Sequence, residues 1–349
     1  MLRIRTSLLA AAVLLSLDCT HANAQAMPSS LAAFYASQGF DQTKVQRRFG
    51  NHLYLRTWIN GKSANLVIDN SAPTTVIHRE CADTYGLSLS ATNQRVTNVW
   101  GVTPDVYSAS KLRSLQIGRQ MLTDIPVLVA SEAAWLTPPD FLIVPKLIPR
   151  SKTRKISRYY HVEAVNGLLG ADILKKTGAV IDCGHQMLYT NSQGGNSATS
   201  EKLAAFLAYR GFTRIPMQQT RDHQFEVQAA INGHPTRLLV DTGACFTFLG
   251  REAGATAHVF AAPLRLAYDL GYGHMEQING GSAKDLSIGD FIVHYTDVTL
   301  ANVSNQVLRP NIPEEANSGL LGIEVLSMNY AVIDFGNMTL YMRRPDRRF

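Results

Sequence analysis

Cysteine is scarce in this chain, with four residues in 349. They fall singly, with no CxxC pair and no His/Cys cluster, so no zinc-type ligand set is expected. The ten histidines are scattered without ligand spacing, and neither a metal nor an organic cofactor is implied. Charge is sparse too, at 17% of residues against 46% hydrophobic. That balance excludes a disordered chain and leaves material for two cores. GxSxG, HExxH, GxxxxGK[ST] and a GxGxxG after a strand are all missing. With them go the local signatures of α/β-hydrolases, zincins, P-loop enzymes and dinucleotide binders.

Long apolar runs are missing as well, except near the start. "MLRIRTSLLAAAVLLSL" carries Arg3 and Arg5, then an apolar stretch from Leu8 to Leu17, and "ANA" follows at 22–24. This reads as a signal peptide over residues 1–24, too short to span a bilayer as a helix. Leu17 and Asp18 are poor lipobox residues before Cys19. A periplasmic or secreted protein without a transmembrane segment is expected. Removing the peptide takes away two Arg and one Asp, which leaves +5 of the formal net charge of +6. That is mild for the length and gives no reason to expect nucleic acid as a partner. Cys81, Cys183 and Cys245 remain. One disulfide plus one thiol, or three thiols, both fit.

What the chain has instead is repetition. "SLAAFYASQGF" at 30–40 returns as "KLAAFLAYRGF" at 202–212. "INGKSANLVIDNSAPTTVIHRE" at 59–80 returns as "INGHPTRLLVDTGACFTFLGRE" at 231–252, again 172 residues later. "NGLLGADIL" at 166–174 matches "SGLLGIEVL" at 318–326, and "AVIDCGHQMLYTN" at 179–191 matches "AVIDFGNMTLYMR" at 331–343, both 152 residues later. The mature chain is therefore one unit written twice. We expect a first lobe over 25–190, a linker at 191–200 ("NSQGGNSATS") and a second lobe over 201–349. The fall in offset places an insertion at about 131–165 of the first lobe. It holds Lys146, Arg150, Lys152, Arg154, Lys155 and Arg158, either as a solvated loop or as a docking site for an anionic partner.

Within each unit most signals are strands. "HLYLRTWING" and "HQFEVQAAING" alternate and end in Asn-Gly, a hairpin signal. "AVIDCGHQMLY" and "AVIDFGNMTLY" read as further hairpins turning at a Gly. The "LAAF" segments are the exception. Each reads as a short helix ended by Gly39 or Gly211.

In both copies the second hairpin strand runs straight into an acid, Asp69 in "LVIDNSAPTTVIH" and Asp241 in "LLVDTGACFTFLG". An acid after a strand often caps a turn. Two copies related by a pseudo-twofold axis would also bring both acids together at the interface. Paired carboxyls share one proton, so one can activate water and the other can donate to a carbonyl.

An aliphatic run ending in "DTGA", followed downstream by "GLLG" at 167–170 and 319–322, resembles the aspartic peptidases, both pepsin-like and retropepsin-like. Unit size is similar to that of retropepsin-like domains. The resemblance implies a mainly all-β acid-protease fold, with two pseudo-twofold-related β-barrel-like lobes, each preceded by a short helix. It implies an exported, bacterial-type aspartic endopeptidase acting on peptides or proteins in extended conformation, as a monomer with pseudo-dimeric lobes. Asp241 and Asp69 match the catalytic pair. Thr242 matches the residue tying the two loops, Gly243 the position whose N–H approaches the carboxylate, and Ala244 the small residue after it. In the first copy Asn70 replaces Thr and Ser71 replaces Gly. Asn can still donate and accept. The Gly position implies either φ > 0 or a close backbone approach. Flaps are implied at 98–108 and 269–282, where Trp100, Gly101, Tyr107, Tyr272, Gly273 and His274 would line the cleft or simply pack. Two other readings stay open. One is a catalytically impaired peptide-binding protein, because the first loop reads Asp-Asn-Ser. The other is pairing of "DTGA" lobes between chains.

Overall fold

The structure, a computed structural model, describes residues 28–47, 51–94, 107–130, 165–194, 197–220, 223–269, 275–301 and 319–345. The signal peptide, almost all of the basic insertion, and Trp100, Gly101, Tyr272, Gly273 and His274 lie outside the described residues.

The Asn-Gly hairpins form as expected. Leu53–Ile59 pairs with Lys62–Ile68, and Phe225–Ile231 with His234–Val240. Asn60 and Gly61 have φ of 51° and 80°, and Asn232 and Gly233 have 50° and 84°, the two positive angles of a type I′ turn. Each Asn side chain also clamps its hairpin to the rest of the lobe. Asn60 Oδ1 accepts from Ser114 N at 3.0 Å, and its Nδ2 donates to Tyr85 O at 2.7 Å. Asn232 makes the same pair with Asp285 N and Ala257 O, at 3.1 and 2.8 Å.

In each lobe an eight-stranded sheet closes on itself. Leu53–Ile59 also pairs with Tyr107–Ile117, which completes a ring of six strands, and Phe225–Ile231 pairs with Met275–Ile288 to the same effect. Closure pairs the six ring strands on both sides and surrounds a core rich in Leu, Ile and Val.

A third, six-stranded sheet joins the lobes, three strands from each half. Its central pair is Val180–Asp182 against Val332–Asp334, antiparallel, with Ile181 opposite Ile333. These are equivalent residues of the two repeats, so a pseudo-twofold axis passes between them. The axis continues through the helices Leu31–Ser37 and Ser197–Tyr209, where the equivalent rings of Phe34 and Phe206 stack with centroids 5.1 Å apart. Gly39 and Gly211, both at φ 77°, end these helices as expected.

Three local details differ from the sequence reading, and one open choice is resolved. The second helix begins at Ser197, inside the stretch read as linker. Further short helices, Ala171–Lys176 and Ile323–Met328, follow the two "GLLG" segments. The left-handed residues of the "AVID" hairpins are Gln186 and Met338, with φ of 58° and 50°. Gly184 serves packing instead, since a Cβ there would lie 2.7 Å from the Tyr330 ring. Cys81, Cys183 and Cys245 form no disulfide, which settles the open choice in favour of thiols. Burial raises the Cys183 thiol well above the ordinary range.

Candidate active site

The "GLLG" segments explain where Asp69 and Asp241 sit. Gly167–Leu169 runs parallel to Lys62–Ile68, and Gly319–Leu321 runs parallel to His234–Val240. At the end of each pair Asp69 N donates to Leu169 O and Asp241 N to Leu321 O, both at 3.0 Å. A Cβ on Gly167 or Gly319 would collide with the carbonyl oxygen of Val76 or Phe248, and one on Gly170 would lie 2.7 Å from Thr74 C. The glycines are required because backbone lies on backbone there.

Below each loop lies a second, repeated support. Gly170 N donates to Thr75 Oγ1 at 3.1 Å, and the hydroxyl donates to Asp172 Oδ1 at 2.8 Å. Gly322 N donates to Thr247 Oγ1 at 3.0 Å, and Thr247 N donates to Glu324. Burial raises the pKa of both Asp172 and Glu324, against the hydrogen bonds they accept. Sequence reasoning did not single out these four residues. They stand at the repeat offsets, and an acid at equivalent positions after "GLLG" was the available signal.

The two loops are locked together across the axis. Thr242 N donates to Asn70 Oδ1 at 2.7 Å, and Asn70 N to Thr242 Oγ1 at 3.2 Å. Asn70 Nδ2 donates to Val240 O at 2.7 Å, and Thr242 Oγ1 to Ile68 O at 2.9 Å. Each side chain accepts from the opposite loop's amide and donates to the carbonyl just before the opposite Asp. Both are fully buried, and every one of these buried groups is satisfied. The loops also hold their own ends: Ala171 N donates to Ala72 O at 2.8 Å and Ile323 N to Ala244 O at 2.9 Å.

Inside this frame the two carboxyls differ. Asp241 Oδ1 accepts from Gly243 N at 2.8 Å and Ala244 N at 3.2 Å. Asp69 Oδ1 accepts from Ser71 N at 2.9 Å, Ala72 N at 3.2 Å and, in addition, Ser71 Oγ at 2.7 Å. Neither Ser71 nor Gly243 has positive φ. Close approach is what Gly243 provides, because a Cβ there would lie 2.5–2.7 Å from the Asp69 carboxyl atoms. Asp241 is 3% exposed, and Asp69 is half-buried. Burial raises the Asp69 pKa, opposed by the bonds from Ser71 and Ala72. Burial and then the Asp69 charge push Asp241 up, to about 7. A charge on Asp69 thus disfavours ionisation of Asp241.

Of the flaps, only the frames are described. Phe260–Asp269 pairs with Met275–Ile288 up to Asp269 opposite Met275. Gly280 and Gly281 lie within the strand opposite Ala262 and Ala261, not at a tip, and a Cβ on Gly281 would meet Val259 at 2.6 Å. In the first lobe Tyr107 is buried on a strand that pairs with Ser90–Ala91. It packs with Tyr54, Val67, Val76 and Leu128.

Residues 227–325 match the family described as aspartyl protease, and residues 55–138 match the family described as gag-polyprotein putative aspartyl protease. No curated protein matches the chain. Among solved structures it is similar to an aspartic proteinase from Irpex lacteus, at 13% identity and TM-score 0.49, over 88% of this chain and 98% of that one. It is similar to conglutin gamma from lupine seeds at 12% identity and TM-score 0.47, over 88% and 95%. A retropepsin-like aspartic protease from Rickettsia conorii aligns at 16% identity and TM-score 0.28, over 43% of this chain and 89% of that one.

Proposed function

We propose that this chain, whose two lobes are retropepsin-like aspartyl-protease repeats, is an endopeptidase that hydrolyses peptide bonds with the Asp69/Asp241 pair. The observation that carries the reading is the reciprocal lock between Asn70 and Thr242. It holds both acid loops to one axis although the first loop reads Asp-Asn-Ser. In this reading the pair carries one proton. The ionised carboxyl takes a proton from an attacking water, and the protonated one donates to the scissile carbonyl. No covalent intermediate is needed. The substrate is a peptide in extended conformation, bound by strand pairing with the flap hairpins. Residues 1–24 export the chain, and a monomer suffices because both acids are in one polypeptide. Among the described residues no helix is long and apolar enough to cross a membrane.

The test is cleavage of a diverse peptide pool by the mature chain from acid to neutral pH. Asp69→Asn and Asp241→Asn should each lower the rate by roughly 10²–10⁴-fold. Loss in Asp241→Asn alone would point to pairing between chains. Binding without cleavage at any pH would leave a peptide-binding protein.

A further inference from the structure

We propose that the Ser71 hydroxyl, standing where the second loop has Gly243, gives the two carboxyls fixed and unequal roles: Asp69 holds the negative charge and acts as base, and Asp241 holds the proton and acts as acid. This rests on the endopeptidase reading above. Symmetric loops would offer each acid the same two backbone donors, and here they do so at nearly equal distances. Ser71 adds a third donor on one side only, 2.7 Å from Asp69 Oδ1. A hydrogen bond to an ionised carboxylate is stronger than one to the neutral acid, so the added donor favours charge on Asp69.

The hydroxyl also has a direction. It has one proton to give, and the hydrogen bond it makes takes that proton to Asp69 Oδ1. A proton on Asp69 Oδ1 would face three donors, while one on Asp241 Oδ1 would face two. Solvent acts in the same sense, because Asp69 is half-buried and Asp241 is buried, and burial penalises charge. The other carboxyls packed under the loops do not break the tie. Asp172 lies beneath one loop and Glu324 beneath the other, each bonded to the threonine of its own lobe. Ser71 is thus a positioning residue that acts through Asp69.

The experiment is a pH titration of the mature chain with ¹³C-carboxyl-labelled aspartate, assigned with Asp69→Asn and Asp241→Asn, beside pH profiles of kcat/KM. In wild type the lower step should belong to Asp69 and the upper to Asp241. In Ser71→Gly and Ser71→Ala the lower step should move up by about 1 pH unit, the scale of one charge-assisted hydrogen bond. The acid limb of kcat/KM should move with it, and Ser71→Thr should restore both. A merely structural serine would lower activity equally at all pH and leave the steps in place, which would overturn the assignment. So would a lower step that belongs to Asp241. The titration needs no turnover. Asp69 ionising first in a chain that never cleaves would uphold the proton assignment and reject the endopeptidase reading.

Discussion

The two acid loops, Asp69-Asn70-Ser71-Ala72 and Asp241-Thr242-Gly243-Ala244, do the same structural work with different chemistry at two of four positions. Threonine supplies acceptor and donor from one oxygen. Asparagine supplies them from two atoms, Oδ1 and Nδ2, and meets the same amide and carbonyl on the other side of the axis. Hydrogen-bond valence is what the lock requires, and residue identity is secondary to it. The third position teaches the opposite. Gly243 lies so close to the Asp69 carboxyl that no side chain fits, while the first loop carries a serine and spends its hydroxyl on its own acid. The two lobes therefore share a scaffold and differ where charge is handled.

Three substitutions would break or sharpen this contrast. Gly243→Ser, which copies the first loop into the second, should have the largest effect. Its Cβ would meet the Asp69 carboxyl, and a displacement of this kind near reacting groups costs on the order of 10²-fold in rate. Cleavage assays check this, and equal rates for Gly243→Ser and wild type would remove the claim of asymmetry. Next comes Asn70→Ala, which orphans the buried Thr242 N–H and Val240 C=O, at about 1–3 kcal/mol for each group. Asn70→Thr, by contrast, should stay within about 1 kcal/mol of wild type. Urea unfolding of both variants measures the difference.

The smallest expected effect is on thermal stability. The Asp241 pKa is raised in the folded chain, to about 7. A raised acid contributes stability that is fully present below its unfolded value and is lost as pH rises through the folded value. Asp241→Asn should therefore melt close to wild type near pH 4 and several degrees above it near pH 8, where wild type must ionise the buried Asp241 beside a charged Asp69. Calorimetric scans at the two pH values decide it. An equal difference at both would mean that the gain has nothing to do with charge.

Much of the scaffold could be read before folding was considered. The Asn-Gly turns at 60–61 and 232–233, the helix-ending Gly39 and Gly211, the hairpin strands entering Asp69 and Asp241, and "GLLG" were all visible because each is local and each occurs twice. The misses were of another kind. Thr75 with Asp172, and Thr247 with Glu324, carry no motif of their own. Their role exists only where "GLLG" is laid against the acid loop. Ser197–Ser200 looked like linker because the stretch around them is rich in Gly, Ser and Asn. The second helix includes them because Leu203, Phe206 and Leu207 further along pack onto the joining sheet.

The sequence by itself determined that this protein is one β-rich unit used twice, with an acid at the end of the same strand in each copy. Alternation, turn residues and repeats act over a few neighbouring residues and need no knowledge of the rest. Only the tertiary structure decided that Asn70 meets Thr242 across 172 residues of chain. The same is true of the close approach between Gly243 and Asp69, and of the unequal donors around the two carboxyls. Those outcomes depend on where an axis falls and how much water is excluded around it. Both are properties of packing between the lobes, and no short stretch of either lobe encodes them.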